Sequence, residues 1–186
     1  LSVLKADFLM SSYNTLGDTL ILVDISKPKP LALEWTLPEG IREAGASADG
    51  SVRQLLFNKT GTYNIQLFTR LGECADAITK TVIVLPEQER GNVDSLLGYR
   101  EKLIRNITVF PNPTTGQFKV NVELSKEAPV TIRLIYFNDG NLMEMRTSPN
   151  AKNHEVPFSI GNLPQGTYLI GVQADKEYEV RKIIKL

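Results

Sequence analysis

An all-β chain, built as two immunoglobulin-like β-sandwich domains joined by a charged linker, is what three features of these 186 residues predict. Apolar and polar residues alternate with period two over most of the length, the signature of half-buried antiparallel strands. Gly (13) and Pro (10) together recur about once in eight residues, a spacing that suits short strands and turns. Residues 87–105 break the alternation with four basic and four acidic side chains, which divides the chain into blocks of ordinary small-domain size.

The first block, residues 1–86, opens its strand pattern at Thr19–Asp24, and Leu33–Leu37 follows as a second strand. Gly61–Thr69 sets Tyr63, Ile65 and Leu67 on one face and Thr62, Asn64 and Gln66 on the other. Ala77–Leu85 is a run rich in β-branched residues, and Pro86 ends the block. Within the linker (87–106), Asp94 is placed to cap a short helix whose Leu96, Tyr99 and Leu103 share a face. Gly91 and Gly98 each weaken such a helix by roughly 1 kcal/mol, which favours a solvated linker.

Residues 107–186 form the second block. Seven strands are expected, over 107–110, 117–123, 130–137, 142–146, 154–160, 167–174 and 177–185. Asn138-Asp-Gly140 is a hairpin signal, because Asp-Gly tolerates positive φ. Seven strands in 80 residues suit an immunoglobulin-type sandwich, although this block holds neither Cys nor Trp. A unit this small has no disulfide to help it, so its inward apolar faces carry nearly all the stabilisation.

Composition narrows the function classes. Lys plus Arg total 21 and Asp plus Glu total 21, without the basic excess of a nucleic-acid binder. One cysteine (Cys74) and one histidine (His154) leave no internal disulfide and no Cys/His zinc site. Glu34, Glu39 and Glu43 lack a basic or metal-binding companion, and Asp7, Asp18, Asp24, Asp49 and Asp76 lack calcium-loop spacing. No catalytic, cofactor-binding or metal residue is expected. Cys74 reads as a partly buried loop thiol, and His154 as a solvent-facing strand residue that cannot form a dyad with the adjacent Glu155. No apolar stretch approaches the ~18 residues of a membrane-spanning helix. The start, Leu1-Ser-Val-Leu-Lys-Ala-Asp-Phe8, has neither Met nor a signal-peptide pattern, so the expectation is a C-terminal fragment with any signal or catalytic domain upstream.

Val109-Phe-Pro-Asn-Pro-Thr-Thr-Gly116 resembles the opening of the type A C-terminal sorting domain of type IX secretion cargo. Asn138-Asp-Gly-Asn141 stands where that family has a mid-domain Gly turn, and Gly161-Asn-Leu-Pro-Gln-Gly-Thr-Tyr-Leu-Ile170 resembles its "L-(P/S)-x-G-x-Y" turn and strand. Lys176 to Leu186 resembles its basic last strand. The first block resembles a PKD domain, an immunoglobulin-like spacer, through Leu33-Glu-Trp-Thr-Leu-Pro-Glu-Gly40 and Asn58-Lys-Thr-Gly-Thr-Tyr-Asn-Ile-Gln-Leu67. It departs from that family where Leu37-Pro-Glu-Gly40 replaces Phe-Gly-Asp-Gly. Asp18-Thr-Leu20 and Asp94-Ser-Leu96 resemble the three-residue O-glycosylation signal of bacteria with this secretion system, at Thr19 and Ser95.

Residue chemistry suits a recognition role. Pro111 and Pro113 fix φ near −65° and offer no amide donor, so the stretch belongs at a sheet edge or in a loop. Asn112 and Thr114 can bond the local backbone, and Gly116 allows positive φ for the return to a strand. A stiff loop of this kind is both a good turn and a surface that a receptor can grip with little ordering entropy left to lose. Gly140 and Gly166 read as turn residues, and Tyr168 as a core ring with its hydroxyl at the rim. Arg181, Lys182 and Lys185 make the last strand either an edge blunted by charge or a strip for strand addition, and the resemblance favours docking.

The resemblance implies a non-catalytic C-terminal region of a secreted or cell-surface cargo protein, exported through the periplasm and across the outer membrane. Its implied partners are an outer-membrane β-barrel shuttle and the type IX translocon, then a surface sortase-like peptidase and lipopolysaccharide, with cleavage expected in 87–105. The alternative is a carbohydrate-binding or adhesive pair of sandwiches, which needs exposed aromatics on one sheet face.

Overall fold

A computed structural model describes residues 3–87 and 102–186. The chain divides into two compact units, Leu1–Gly91 and Asn92–Leu186. The helix cap at Asp94, with Leu96 and Tyr99, and the glycosylation signal at Ser95 lie outside the described residues, whereas Leu103 is buried in the second unit's core.

Eight strands build the first unit: β1 (Phe8–Leu9), β2 (Tyr13–Thr15), β3 (Leu20–Asp24), β4 (Ala32–Thr36), β5 (Ile41–Ala46), β6 (Val52–Phe57), β7 (Gly61–Leu71) and β8 (Cys74–Leu85). They form two four-stranded sheets, ordered β1-β3-β6-β5 and β2-β8-β7-β4. All pairings are antiparallel except β2 with β8. Period two along β7 turns Ile65 and Leu67 into the core and leaves Thr62, Asn64 and Gln66 exposed. Phe8, Leu20, Leu22, Leu55, Val82 and Val84 meet them from the neighbouring strands. Trp35 on β4 packs edge-on against Phe8 at 5.2 Å, and its indole N–H donates to the Gly50 carbonyl at 3.0 Å. Cys74 begins β8 and is exposed, not part of a half-buried loop, because Gly72 and Glu73 form a tight turn that leaves it at the solvent end of the hairpin.

The second unit uses five strands: β9 (Ile104–Phe110), β10 (Gln117–Tyr136), β11 (Leu142–Ser159), β12 (Gly166–Ala174) and β13 (Glu177–Lys185). Where the sequence pattern reads seven short strands, the four segments at 117–137 and 142–160 are joined into two long ones. The first half of β10 pairs with β9 and with the second half of β11, and the second half of β10 pairs with β12 and the first half of β11. Register shifts between Glu123 and Val130 mark where the long strands bend. Both layers of this sandwich therefore share β10 and β11 over a core that includes Ile104, Phe118, Val120, Ile132, Leu134, Phe158, Tyr168, Ile170 and Ile183. Phe118 and Phe158 stack at 5.3 Å.

His154 is buried at 4% exposure, which overturns the solvent-facing expectation. It shares parity with Val156, Phe158 and Ile160, all of which point inward. Its Nδ1 lies 2.8 Å from Ser148 Oγ and its Nε2 lies 3.0 Å from the Ala151 carbonyl, so it pins the bend of β11.

Candidate functional site

Residues 111–116 join β9 to β10, and the peptide bonds preceding Pro111 and Pro113 are both cis. Pro111, Asn112 and Pro113 are exposed, while Thr114 and Gly116 are buried. The inward turn has a clear cause. Thr114 Oγ1 donates to the Gln117 carbonyl at 2.9 Å and accepts from the Gly116 amide at 3.0 Å. Gly116 has φ +145° and its carbonyl accepts from the Ile160 amide at 2.7 Å. A Cβ there would stand 2.9 Å from the Cα of Gly161, so glycine is required for this backbone approach.

The same loop closes the outer edge of the last strand. The Asn112 side-chain amide donates to the Lys182 carbonyl at 2.9 Å and its oxygen accepts from the Ile184 amide at 3.0 Å. Thr114 continues the ladder: its amide donates to the Ile184 carbonyl at 2.8 Å, and its carbonyl accepts from the Leu186 amide at 3.0 Å. One side chain and one residue of backbone thus satisfy the end of β13 as a neighbouring strand would.

The basic residues of β13 divide into different roles. Lys185 is buried at 7% exposure, and its ammonium donates to the carbonyls of Gly161, at 2.9 Å, and Leu163. It folds inward to hold the 161–163 turn and is not presented to solvent. Arg181 Nη2 reaches Glu179 at 2.5 Å, and Glu179, itself buried, also pairs with Lys102. Lys182 is exposed, with its ammonium 5.6 Å from the centre of the Phe137 ring.

Tyr168 sits where the sequence places it: the ring is fully buried and its hydroxyl donates to the Pro164 carbonyl at 2.7 Å. Burial pushes its phenol above the ordinary tyrosine value, with Tyr136 adding to the effect, so it remains a donor at neutral pH. The Tyr136 ring lies 5.1 Å from that of Tyr168 and against Gly166, whose φ is +142°. Gly140, at φ +65°, completes the turn after β10 by donating its amide to the Tyr136 carbonyl at 2.9 Å. A continuous set of contacts therefore runs from the proline loop through Gly161 and Lys185 to Gly166, Tyr168, Tyr136 and Gly140.

Two side chains missed by sequence reasoning hold the start of the domain to the same strand. Glu177 accepts from the amides of Leu103 at 2.7 Å and Ile104 at 3.0 Å. Desolvation raises its pKa, against the lowering effect of those bonds and of Lys102. Glu179 does the equivalent for Lys102. Their signal in the sequence was the acid–apolar alternation of Glu177-Tyr-Glu-Val180, which is uncommon for a terminal strand otherwise read as basic. The aromatic row that a glycan-binding face needs is absent from the surface of the described residues, where Phe110 is the large aromatic left exposed.

Comparison with known proteins bears on this arrangement. Residues 108–186 match the family described as a secretion system C-terminal sorting domain. No curated protein matches the chain. Among solved structures, the D00-D0 domain of intimin is 12% identical with a TM-score of 0.37, covering 99% of this chain and all of that one. Dimeric latent PorU from Porphyromonas gingivalis is 12% identical with a TM-score of 0.37, and the whole of this chain spans 20% of it. The titin domains Z1Z2 in complex with telethonin are 12% identical with a TM-score of 0.31, covering all of this chain and 98% of that one.

Proposed function

We propose, from the match of residues 108–186 to the secretion system C-terminal sorting domain family, that an outer-membrane β-barrel shuttle of the type IX system reads the proline-loop end of this domain and delivers the attached cargo to the translocon. The coarser part follows from the family: the domain is a sorting signal on a cargo protein, destined for the outer membrane, the cell surface or the medium. The observation that carries the finer reading is the convergence of the motif residues at one end of the sandwich. There Pro111, Asn112 and Pro113 stand exposed on a loop whose inner half is anchored by Thr114 and Gly116. A rigid, preorganised projection loses little entropy on binding, which suits a signal read on many different cargoes.

In this reading the interaction is recognition without chemistry. The first block, residues 1–86, serves as a PKD-like spacer, and the stretch 87–105 is where a sortase-like peptidase would cut before transfer to lipopolysaccharide. Arg181 and Lys182 lie at the surface, whereas Lys185 contributes by holding the 161–163 turn. A periplasmic reporter fused to residues 87–186, in a host possessing the system, is expected outside the cell. Retention of that reporter in the periplasm with an intact domain refutes the proposal.

A further inference from the structure

The strand that ends the chain is tied to the segments flanking both ends of β9, the strand that opens the second unit. Beyond the far end of β9, Asn112 and Thr114 bond the backbone of residues 182–186. Ahead of its near end, three consecutive residues are held. The Lys102 ammonium pairs with Glu179, which is itself buried. The amides of Leu103 and Ile104 donate to the two carboxylate oxygens of Glu177 at 2.7 and 3.0 Å, so one side chain occupies two successive backbone donors. The Leu103 carbonyl accepts from the Ser125 amide at 2.8 Å, and the side chains of Leu103 and Ile104 are buried in the core. The β9–β10 ladder begins only at Ile104. Lys102 and Leu103 therefore precede the strand, at a place where a chain entering a domain ordinarily frays.

Burying a carboxylate is costly unless it is paired and hydrogen-bonded. The partners that Glu177 and Glu179 find are the entering backbone and Lys102, with Arg181 as the second ion pair of Glu179. A peptidase takes its substrate as an extended segment bound on both sides of the scissile bond, so a folded segment is cut only after it opens. Opening 102–104 here exposes two core side chains and breaks two charge-assisted hydrogen bonds together with an ion pair. The geometry points to an autoinhibitory clasp: Glu177 and Glu179 of the last strand withhold the peptide bonds between Lys102 and Asn106 from a peptidase for as long as that strand is in place. The same strand is held at its other end by the motif loop, so displacing it frees the entry segment as well. This inference rests on the reading of 87–105 as the cleaved stretch and states what regulates its last bonds.

Two measurements decide it. In the first, the full 186-residue chain and its Glu177→Gln, Glu179→Gln variant are digested briefly with trypsin, which cuts after Lys102 and Arg105. Fragments beginning at Leu103 and Asn106 are followed by mass spectrometry. A core variant of matched melting temperature, Ile170→Val or Ile132→Val, serves as the reference, because cleavage through global opening rises equally in proteins of equal stability. The clasp variant is expected to release these fragments at least tenfold faster than the matched core variant. Equal rates overturn the clasp. Where the double variant lacks a cooperative melt, Glu177→Gln alone is compared in the same way, with at least a threefold difference expected and equal rates again overturning the inference. In the second, the 87–186 reporter is exported by a host possessing the system, and the terminus left by processing is mapped by mass spectrometry. A cut outside residues 102–106 is expected. A cut within them on the unmodified domain overturns the clasp while the sorting reading stands. A reporter that is retained, or exported and never cut, counts against the sorting or the cleavage reading instead, and the trypsin comparison alone then decides the clasp.

Discussion

The two sandwiches end their chains differently. In the first unit the closing strand β8 lies inside its sheet: β7 pairs it over Cys74–Val84, and β2 pairs the other edge of its final residues, Ile83–Leu85. In the second, β13 lies at the end of its sheet and has only β12 as a neighbouring strand in the sheet order. Its outer edge is completed by the Asn112 side chain and Thr114 backbone, and its inner face by Glu179 and Lys185. A closing strand inside a sheet is stabilised by neighbours that exist for other reasons. A closing strand at an edge depends on the loop that caps it, so here the motif loop and the C-terminus stabilise each other.

The severest break of that comparison is to remove Ile183–Leu186. This deletes a fully buried core side chain, both backbone partners of Thr114 and the ammonium that holds Gly161 and Leu163. Loss of one buried aliphatic side chain alone costs about 2–5 kcal/mol, a large part of the ~5–15 kcal/mol that a domain has. The second unit should lose its cooperative thermal transition, read by near-ultraviolet circular dichroism and amide exchange, with protection vanishing from the proline loop as well as from β12. Export failure after such a truncation would then report unfolding, so it cannot by itself assign recognition to the last strand.

A smaller break compares glycines. Gly116→Ala forces a Cβ to within 2.9 Å of the Gly161 backbone at a φ of +145° and should cost roughly 1–3 kcal/mol. Gly72→Ala in the first unit, at φ +59° with nothing within 4 Å, meets only the left-handed strain of about 1 kcal/mol. Urea midpoints of the two variants should rank in that order. Lys185→Ala leaves the Gly161 and Leu163 carbonyls without their ammonium and should cost about 1–3 kcal/mol, while Lys182→Ala at the exposed neighbouring position should change stability by less than about 0.5 kcal/mol. Equal effects at the two lysines would contradict their division into an anchoring and a surface role.

What could be read from sequence, and what could not, follows the same division between pattern and context. Alternation made β3, β4, β7 and β8 legible, along with the inward faces of Tyr63, Ile65 and Leu67. It failed for β5, where Ile41-Arg-Glu-Ala-Gly-Ala46 is mostly exposed and carries little apolar signal, and for β1 and β2, which are two and three residues long. The gaps expected between 123 and 130 and between 146 and 154 are strand in the fold, where Pro129 and Pro149 each sit within a long bent strand near register shifts that absorb them. Gly116, Gly166 and Tyr168 were legible as turn and core residues because their demands are local. The inward turn of Lys185 was not, since it depends on carbonyls 22 and 24 residues away that only the fold brings near. His154 was readable from its parity with Val156 and Phe158, which outweighs the polar character that suggested exposure.

Tyr168→Phe tests the next level down. It keeps the buried ring and removes one hydrogen bond to Pro164, so a loss of about 1 kcal/mol is expected, without change in the stacking against Tyr136. A neutral result in chemical denaturation would place that hydroxyl with water rather than with the 161–166 turn.

The finest contrast lies in how the two units respond to acid. In the first, desolvation works to raise Asp49, but hydrogen bonds from Ser51 and Ser47 outweigh it and hold the carboxyl below its ordinary value. That contribution is complete above the unfolded value near 4 and is lost as pH falls through the lowered folded one. Asp24 in the same unit is raised by burial and carries the opposite sign. In the second unit Glu177 is raised by desolvation, so the folded state holds its proton more tightly than the unfolded chain. Its contribution is fully present below about 4 and declines as pH rises through the raised value. Glu177→Gln should therefore flatten the decline in urea midpoint above pH 4, while leaving one of the Leu103 and Ile104 amides without its acceptor at every pH. Asp49→Asn should flatten the acid limb instead. If both substitutions altered the same limb, the opposed environments of these two carboxylates would not be the source of the difference.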